Sequence, residues 1–162
     1  MVDDPDRYRQ NVRTGAVLER VSHLSVDRRL VEAMHLELQE MGMPRVNLFL
    51  VGPRSVTQNL LELLLPDLHN PIATWFPGER LKLPLPAENG TMIFYDIGAL
   101  ADDDQRRLLQ HLGSGAAQTQ IISTSSTPLL PRVHAGTFDD TLYYRLNHVY
   151  MDLSGPAGRR LP

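Results

Sequence analysis

Two stretches of the chain carry residue types whose spacing allows chemistry. The first is Gly52-Pro53-Arg54-Ser55-Val56-Thr57-Gln58. The apolar run Val46 to Val51 precedes it, and a leucine-rich helical pattern follows. A tight turn between a strand and a helix is the skeleton on which backbone amides and a helix N-terminus bind phosphate. The second is Asp96, directly after the unbroken run Met92-Ile93-Phe94-Tyr95. A run so short and so apolar reads as a strand buried on both faces, the parallel-sheet kind. Ligands of such sheets gather beyond the carboxyl ends of the strands, which puts Asp96 on the functional edge. Its alternative role is to cap or solvate that strand end. A third cluster, Asp102-Asp103-Asp104, suggests a metal. Three consecutive carboxylates fan around a helical turn, however, and they suit the positive end of a helix dipole. A helix start is the better reading, and no metal site is expected. Trp75, the single Trp, reads as core or sheet-edge packing.

The elements that must position these residues follow from periodicity and punctuation. Strands are expected at 46–51, 72–76, 90–97, 119–124 and 148–153. Between them, Ser55 is expected to cap a helix running to Leu65, with Leu60, Leu61, Leu64 and Leu65 as its apolar face and Pro66 as its stop. A helix is expected from Asp102 to Leu112 with Leu108, Leu109 and Leu112 facing inward. A short helix or loop is expected over 129–136, and a helix over 138–146. Residues 77–89 are rich in Pro, and Leu81, Leu83 and Leu85 alternate, so an extended edge segment is expected there. Two helices over 15–42 would cover one face of the sheet. Strands alternating with helices indicate a three-layer α/β/α sandwich with a parallel sheet. Residues 1–14 and 154–162 read as flexible ends around one domain at 15–153.

Composition narrows the class. The 162 residues include no Cys, so disulfides and thiolate metal sites are excluded. The formal charge of −3 gives no general attraction to nucleic acid. No apolar run approaches the ~20 residues of a membrane span. The charged N-terminus lacks the apolar core of a signal peptide, so the cytoplasm is the expected compartment.

A more specific signal lies near the end. Gly136-x-Phe138-x-x-x-Leu142-Tyr143-Tyr144-Arg145-Leu146-Asn147 resembles the Gly-x-Phe-Arg-x-Asp-Leu-Tyr-Tyr-Arg-Leu-Asn signature of the sigma-54 interaction domain, the AAA+ ATPase module of bacterial enhancer-binding transcription activators. Gly90-Thr91 and Ile97-Gly98-x-Leu100 are similar to that family's Gly-Thr-Leu-Phe-Leu-Asp-Glu-Ile-Gly-Glu-Leu. The Gln105-x-x-Leu108-Leu109 helix is also similar. Ile121-Ile122-Ser123-Thr124-Ser125-Ser126 falls where the family has an Ile-Ala-Ala-Thr-Asn strand end. The resemblance covers about 46–153. It implies a P-loop NTPase core with strand order 5-1-4-3-2, here without the helical lid.

The resemblance also shows where this chain departs from an ATPase. The family's Gly-x-x-Gly-x-Gly-Lys loop wraps phosphates in backbone amides and neutralises them with Lys. Here only the first glycine survives. Pro53 removes a donor, Val56 adds β-branched bulk, Thr57 replaces a loop glycine and Gln58 stands for the Lys. The family's Asp-Glu pair becomes Tyr95-Asp96. A phenol cannot hold Mg²⁺ as a carboxylate does, and Asp96 reaches less far toward a water. Ser126 takes the place of a polar Asn sensor. Of the two arginines the family supplies across a subunit interface, Asp139 replaces the first and Arg145 keeps the second. Arg145 reads either as an interface residue or as a structural one pairing with Asp139, Asp140 or Asp152. Gly52 and Gly90 are 38 positions apart, roughly half the usual family spacing, and the Gly-Ala-Phe-Thr-Gly-Ala segment that touches the sigma factor is missing. The DNA-binding helix-turn-helix is not found either.

The expectation is therefore a non-catalytic pseudo-ATPase that binds a protein, either an AAA+ regulator or another copy of itself, in transcription regulation. It would have no cofactor, no direct DNA contact and no membrane contact. The alternative is a weak nucleotide-binding enzyme or switch using Arg54, Asp96 and Arg145 in altered geometry, the candidate nucleotide-binding residues being Gly52, Arg54, Ser55, Thr57, Gln58, Asp96 and Ser126. A receiver-like fold ranks third. That fold needs a Lys late in the chain, and the only Lys is Lys82.

Overall fold

The structure, a computed structural model, describes residues 46–85, 88–114 and 118–154, together with Leu36 and Glu40. The helices expected over 15–42 lie outside the described residues apart from these last two, which are helical and exposed. Residues 1–14 and most of 154–162 lie outside as well. Among the described residues there are five strands: β1 (Leu48–Val51), β2 (Ile72–Trp75), β3 (Thr91–Phe94), β4 (Gln120–Ser125) and β5 (Val149–Asp152). The helices are α1 (Arg54–Leu64), α2 (Asp102–Gly113), α3 (Leu130–His134) and α4 (Asp140–Leu146). Short 3₁₀ turns follow α1 and β3, at Leu65–Asp67 and Ile97–Ala99.

All strand pairs are parallel, and the sheet order is β2-β3-β4-β1-β5. This is the expected order read from the other edge. Parallel neighbours require crossovers, and the helices supply them on both faces. Alternate strand residues point to opposite faces, so the core divides in two. Phe49, Val51, Met92, Phe94 and Ile121 lie on the face covered by α2, α3 and α4, where Leu108, Phe138, Leu142 and Leu146 meet them. Leu48, Leu50, Ile93 and Ile122 lie on the other face against Leu60, Leu61 and Leu64 of α1. Each fully buried Leu contributes roughly 1.5–3 kcal/mol, so these two layers dominate the stability.

Local details follow from single residues. Trp75 is 3% exposed, and its Nε1 donates to the Glu79 carbonyl. It is a core residue, as expected. Asp102, Asp103 and Asp104 form the first turn of α2, and two of them pair with Arg106 and Arg107 one turn on. Asp139 caps α4 by accepting from the Leu142 amide at 2.7 Å.

Two expectations fail. Ser55 is not a cap: α1 begins at Arg54, with Pro53 at the N-cap position and no side-chain cap bond. Residues 77–85 form no strand. Leu81 tucks into the core, Leu83 is half-buried and Leu85 is 67% exposed, so the alternation does not mark one buried face. Pro77, Pro84 and Pro86 have no amide to offer a ladder, which explains why β2 remains the edge.

His111 contributes a pH dependence to the stability near neutral pH. Burial holds the His111 imidazole, near the C-terminus of α2, below the ordinary His range. Its Nε2 has no hydrogen-bond partner among the described residues. The unfolded chain therefore takes up this proton first as pH falls. The stability contribution is complete above about pH 6.5 and declines as pH drops toward the lower folded value. Urea midpoints should fall between about pH 7.5 and 5.5, and His111→Gln should flatten that slope. An unchanged slope in the variant would refute the assignment.

Candidate functional site

The carboxyl ends of β1, β3 and β4 meet beside the start of α1. At the end of β1, Gly52 has φ 155° and its amide donates to the Ser125 carbonyl at 3.0 Å, continuing the ladder by one residue. A Cβ at Gly52 would lie 3.0 Å from the backbone and Cβ of Leu153, so this glycine is required by the passage of the chain after β5. Only Gly52 and Pro53 separate β1 from α1. The amides of Val56 and Thr57 both donate to the Pro53 carbonyl, at 2.9 and 3.1 Å. Thr57 is buried, and its hydroxyl donates back to the Arg54 carbonyl at 3.1 Å. Two amides of the 52–58 turn and one hydroxyl are thus engaged within the turn itself.

Beyond β3 the chain bends sharply. Asp96 sits in the left-handed region (φ 51°, ψ 60°), which Asp tolerates better than most residues. Its amide is held by the Thr124 hydroxyl at 3.0 Å, and its side chain is exposed. Strain of this kind, about 1–3 kcal/mol, is concentrated at functional sites. Arg132 of α3 fixes the next turn. Its guanidinium donates to the Gly98 carbonyl, and to the carbonyl of Thr137 at 3.2 Å. Tyr95 is half-buried and stacks on Phe76 with ring centroids 4.4 Å apart and planes 3° from parallel. Burial raises its phenol above the ordinary Tyr range, the charge of Glu62 raises it further and Arg54 opposes this, so the group stays neutral.

These ends enclose a cavity of about 180 Å³. Of the residues expected from sequence, Gly52, Arg54, Thr57, Asp96 and Ser126 line it. Ser55 and Gln58 do not. Ser55 is exposed in the first turn of α1, and Gln58 is half-buried one residue beyond Thr57. Sequence reasoning missed Thr124, Ser125 and Pro77 and took Tyr95 only as packing, yet all four line the cavity. The polar run at the end of β4 was the available signal for Thr124 and Ser125. Ser125 is buried and donates to the Thr127 carbonyl at 2.6 Å, so it shapes the wall more than it offers a contact.

Arg145 lies elsewhere, exposed near the end of α4. Its guanidinium donates to the Leu112 carbonyl of α2 at 3.2 Å. Among the described residues it forms no ion pair, so the expected pairing with Asp139, Asp140 or Asp152 is not made. The Asp139 carboxylate is committed to its own helix and the Asp152 carboxylate to the Ser154 amide. The preceding residue, Tyr144, is 65% exposed. No group of three potential metal ligands occurs among the described residues, and no helix there is long and apolar enough to cross a membrane.

Comparisons with known proteins agree with this architecture. The family model of the sigma-54 interaction domain matches residues 28–155. No curated protein sequence matches the chain. Among solved structures, NtrX from Brucella abortus in complex with ATP is 18% identical with a TM-score of 0.60, over 88% of this chain and 42% of that one. The P-loop NTPase domain of the sigma-54 transport activator from E. coli is 12% identical with a TM-score of 0.52, over 78% of this chain and 96% of that one. Thermotoga maritima RuvB is 10% identical with a TM-score of 0.50, over 78% and 43%. At these identities the likeness shows a shared fold. The chain spans under half the length of NtrX.

Proposed function

The chain belongs to the sigma-54 interaction domain family, and from that premise we propose that it is a non-catalytic member, a pseudo-ATPase that regulates transcription by binding another protein. It works in the cytoplasm without nucleotide, Mg²⁺ or direct DNA contact. The observation that carries this reading is the start of α1. A phosphate loop needs amides left free around a hollow. Here the Pro53 carbonyl takes the amides of both Val56 and Thr57, and Pro53 itself has none. The residue in the Lys position, Gln58, lies outside the cavity. The residue in the metal-supporting position, Tyr95, is a neutral phenol stacked on Phe76. A cavity of about 180 Å³ is also below the ~300–1,000 Å³ of pockets that enclose drug-sized ligands.

The partner-binding half rests on α4. Tyr144 and Arg145 are both exposed there, an aromatic and an arginine side by side, the residue types enriched at the energetic centres of interfaces. The partner is an AAA+ regulator subunit or a second copy of this chain. Two measurements test the proposal. Phosphate release from Mg-ATP by the purified chain should not exceed the buffer blank, and sustained turnover would refute the non-catalytic half. A photocrosslinking residue at position 144 should give a specific protein adduct in cells, and one at position 85 should not. No adduct at 144 would refute the interface.

One observation favours a second reading, a weak ATP-binding switch. Five of the seven residues expected at a remodelled nucleotide site do line one cavity. That reading requires ATP to bind tighter than about 100 μM, on the order of −5.5 kcal/mol.

A further inference from the structure

The cavity beside α1 has a charge pattern that phosphate chemistry does not explain. Arg54 lines one part of it and Asp96 another, and both are exposed. Neither forms an ion pair within the described residues, with the other or with any third group. An anion entering the cavity meets the Asp96 carboxylate, and a cation meets the Arg54 guanidinium. A molecule carrying both charges satisfies both walls. Hydrogen-bonding capacity remains between them. The Thr124 hydroxyl accepts the Asp96 amide, which leaves its own proton to donate. The Ser126 side chain also lines the cavity and is exposed. Pro77 and Tyr95 give an apolar side, and the Tyr95 phenol, kept neutral by burial, is a donor as well as a surface.

We propose that this cavity binds a small zwitterion, an α-amino acid whose carboxylate faces Arg54 and whose ammonium faces Asp96. The size agrees: about 180 Å³ admits a small amino acid with its side chain against Pro77 and Tyr95. The left-handed backbone at Asp96, a residue of the cavity lining, is a local strain of the kind found at binding sites. The inference goes beyond the non-catalytic reading by giving the domain a small-molecule input.

Calorimetric titration of the full chain with glycine, L-alanine, L-serine, L-threonine and L-asparagine tests it. Propionate and ethylamine, which each carry one of the two charges, serve as controls. At least one amino acid should bind with Kd below about 1 mM, and both controls at least about tenfold more weakly. Arg54→Gln and Asp96→Asn should each weaken binding about tenfold or more. Asn tolerates the left-handed conformation, so the second variant keeps its turn. If it nevertheless fails to fold by circular dichroism, Arg54→Gln and the single-charge controls decide alone. Absence of binding by all five amino acids at 10-fold the expected Kd would overturn the proposal. So would equal binding of propionate or ethylamine, or an affinity unchanged in the folded variants. A parallel Mg-ATP titration separates the readings. Amino-acid failure with ATP also silent leaves the nucleotide-free, non-catalytic reading intact, whereas ATP binding overturns the nucleotide-free part of that reading independently of the amino-acid result.

Discussion

Gly90→Ala should destabilise the domain by about 3 kcal/mol or more, the upper end of the range for overpacking a well-filled interior. Gly90 precedes β3 and crosses the segment leading into β2. A Cβ there would sit 2.0 Å from the Pro71 carbonyl oxygen and 2.9 Å from the Pro71 ring. The obstacle is backbone, so no rotamer change relieves it. The same place carries ladder bonds: the Thr91 amide donates to the Pro71 carbonyl, and the Gly90 carbonyl accepts from the Gln120 amide, each at 3.0 Å. Relief of the clash must separate β2 from β3 or shift β3 against β4. Either movement displaces β3 and with it the turn at Asp96. Urea denaturation should show a large drop in midpoint at constant slope. Gly113→Ala is the matched control. Its nearest neighbour is the Arg145 guanidinium at 3.9 Å, and Ala at the end of α2 should be neutral or slightly stabilising. Equal midpoints for Gly90→Ala and wild type would show that the crossing is looser than described.

Asn47→Ala should cost about 2–4 kcal/mol. Asn47 is 8% exposed and stands just before β1. Its Oδ1 accepts from the Ile121 amide and its Nδ2 donates to the Arg145 carbonyl, both at 2.9 Å. Its own carbonyl accepts from the Val149 amide. One side chain therefore joins the starts of β1 and β4 to the end of α4. Truncation leaves a buried amide and a carbonyl unpaired, each costing about 1–3 kcal/mol, with partial relief by water. The expected signature combines a lower melting temperature with faster amide exchange at Ile121. Retention of wild-type protection at Ile121 would show that the bond contributes nothing. The same variant loosens the Arg145 carbonyl, so crosslinking through Tyr144 should weaken with it.

The sheet was legible in the sequence because its strands are short buried runs bounded by Gly and Pro. Leu48–Val51 and Thr91–Phe94 are buried at every position, which is why they read as unbroken apolar segments. The strand order came from the family resemblance and not from periodicity. Two features were not legible, for physical reasons. The Ser55 cap was a reasonable local choice, but Pro53 already has a helix-compatible φ of −52° and an available carbonyl, and the cap therefore falls at Pro53, before Ser55. The alternating Leu81, Leu83 and Leu85 look like a strand, yet the prolines among them remove the donors a ladder needs. The cavity was half legible. Gly52, Arg54 and Thr57 belong to one short stretch of sequence, whereas Thr124 and Pro77 join them only through the sheet. Asn47, Gln105 and Arg132 leave no periodic trace at all. Their importance lies in bonds across long sequence separations, such as the Gln105 side chain, which joins the Leu100 carbonyl to the Asp139 amide.

The measurement closest to the central claim is a calorimetric titration of the purified chain with Mg-ATP and Mg-ADP, preceded by chromatographic analysis of any nucleotide carried through purification. With the Val56 and Thr57 amides committed to Pro53, the account requires an empty chain as purified and no nucleotide affinity better than about 1 mM, on the order of −4 kcal/mol. Gln58→Lys should not change this, because a lysine alone does not reopen the turn. Co-purified ADP or ATP at one equivalent, or a Kd below about 100 μM for either, would contradict the account.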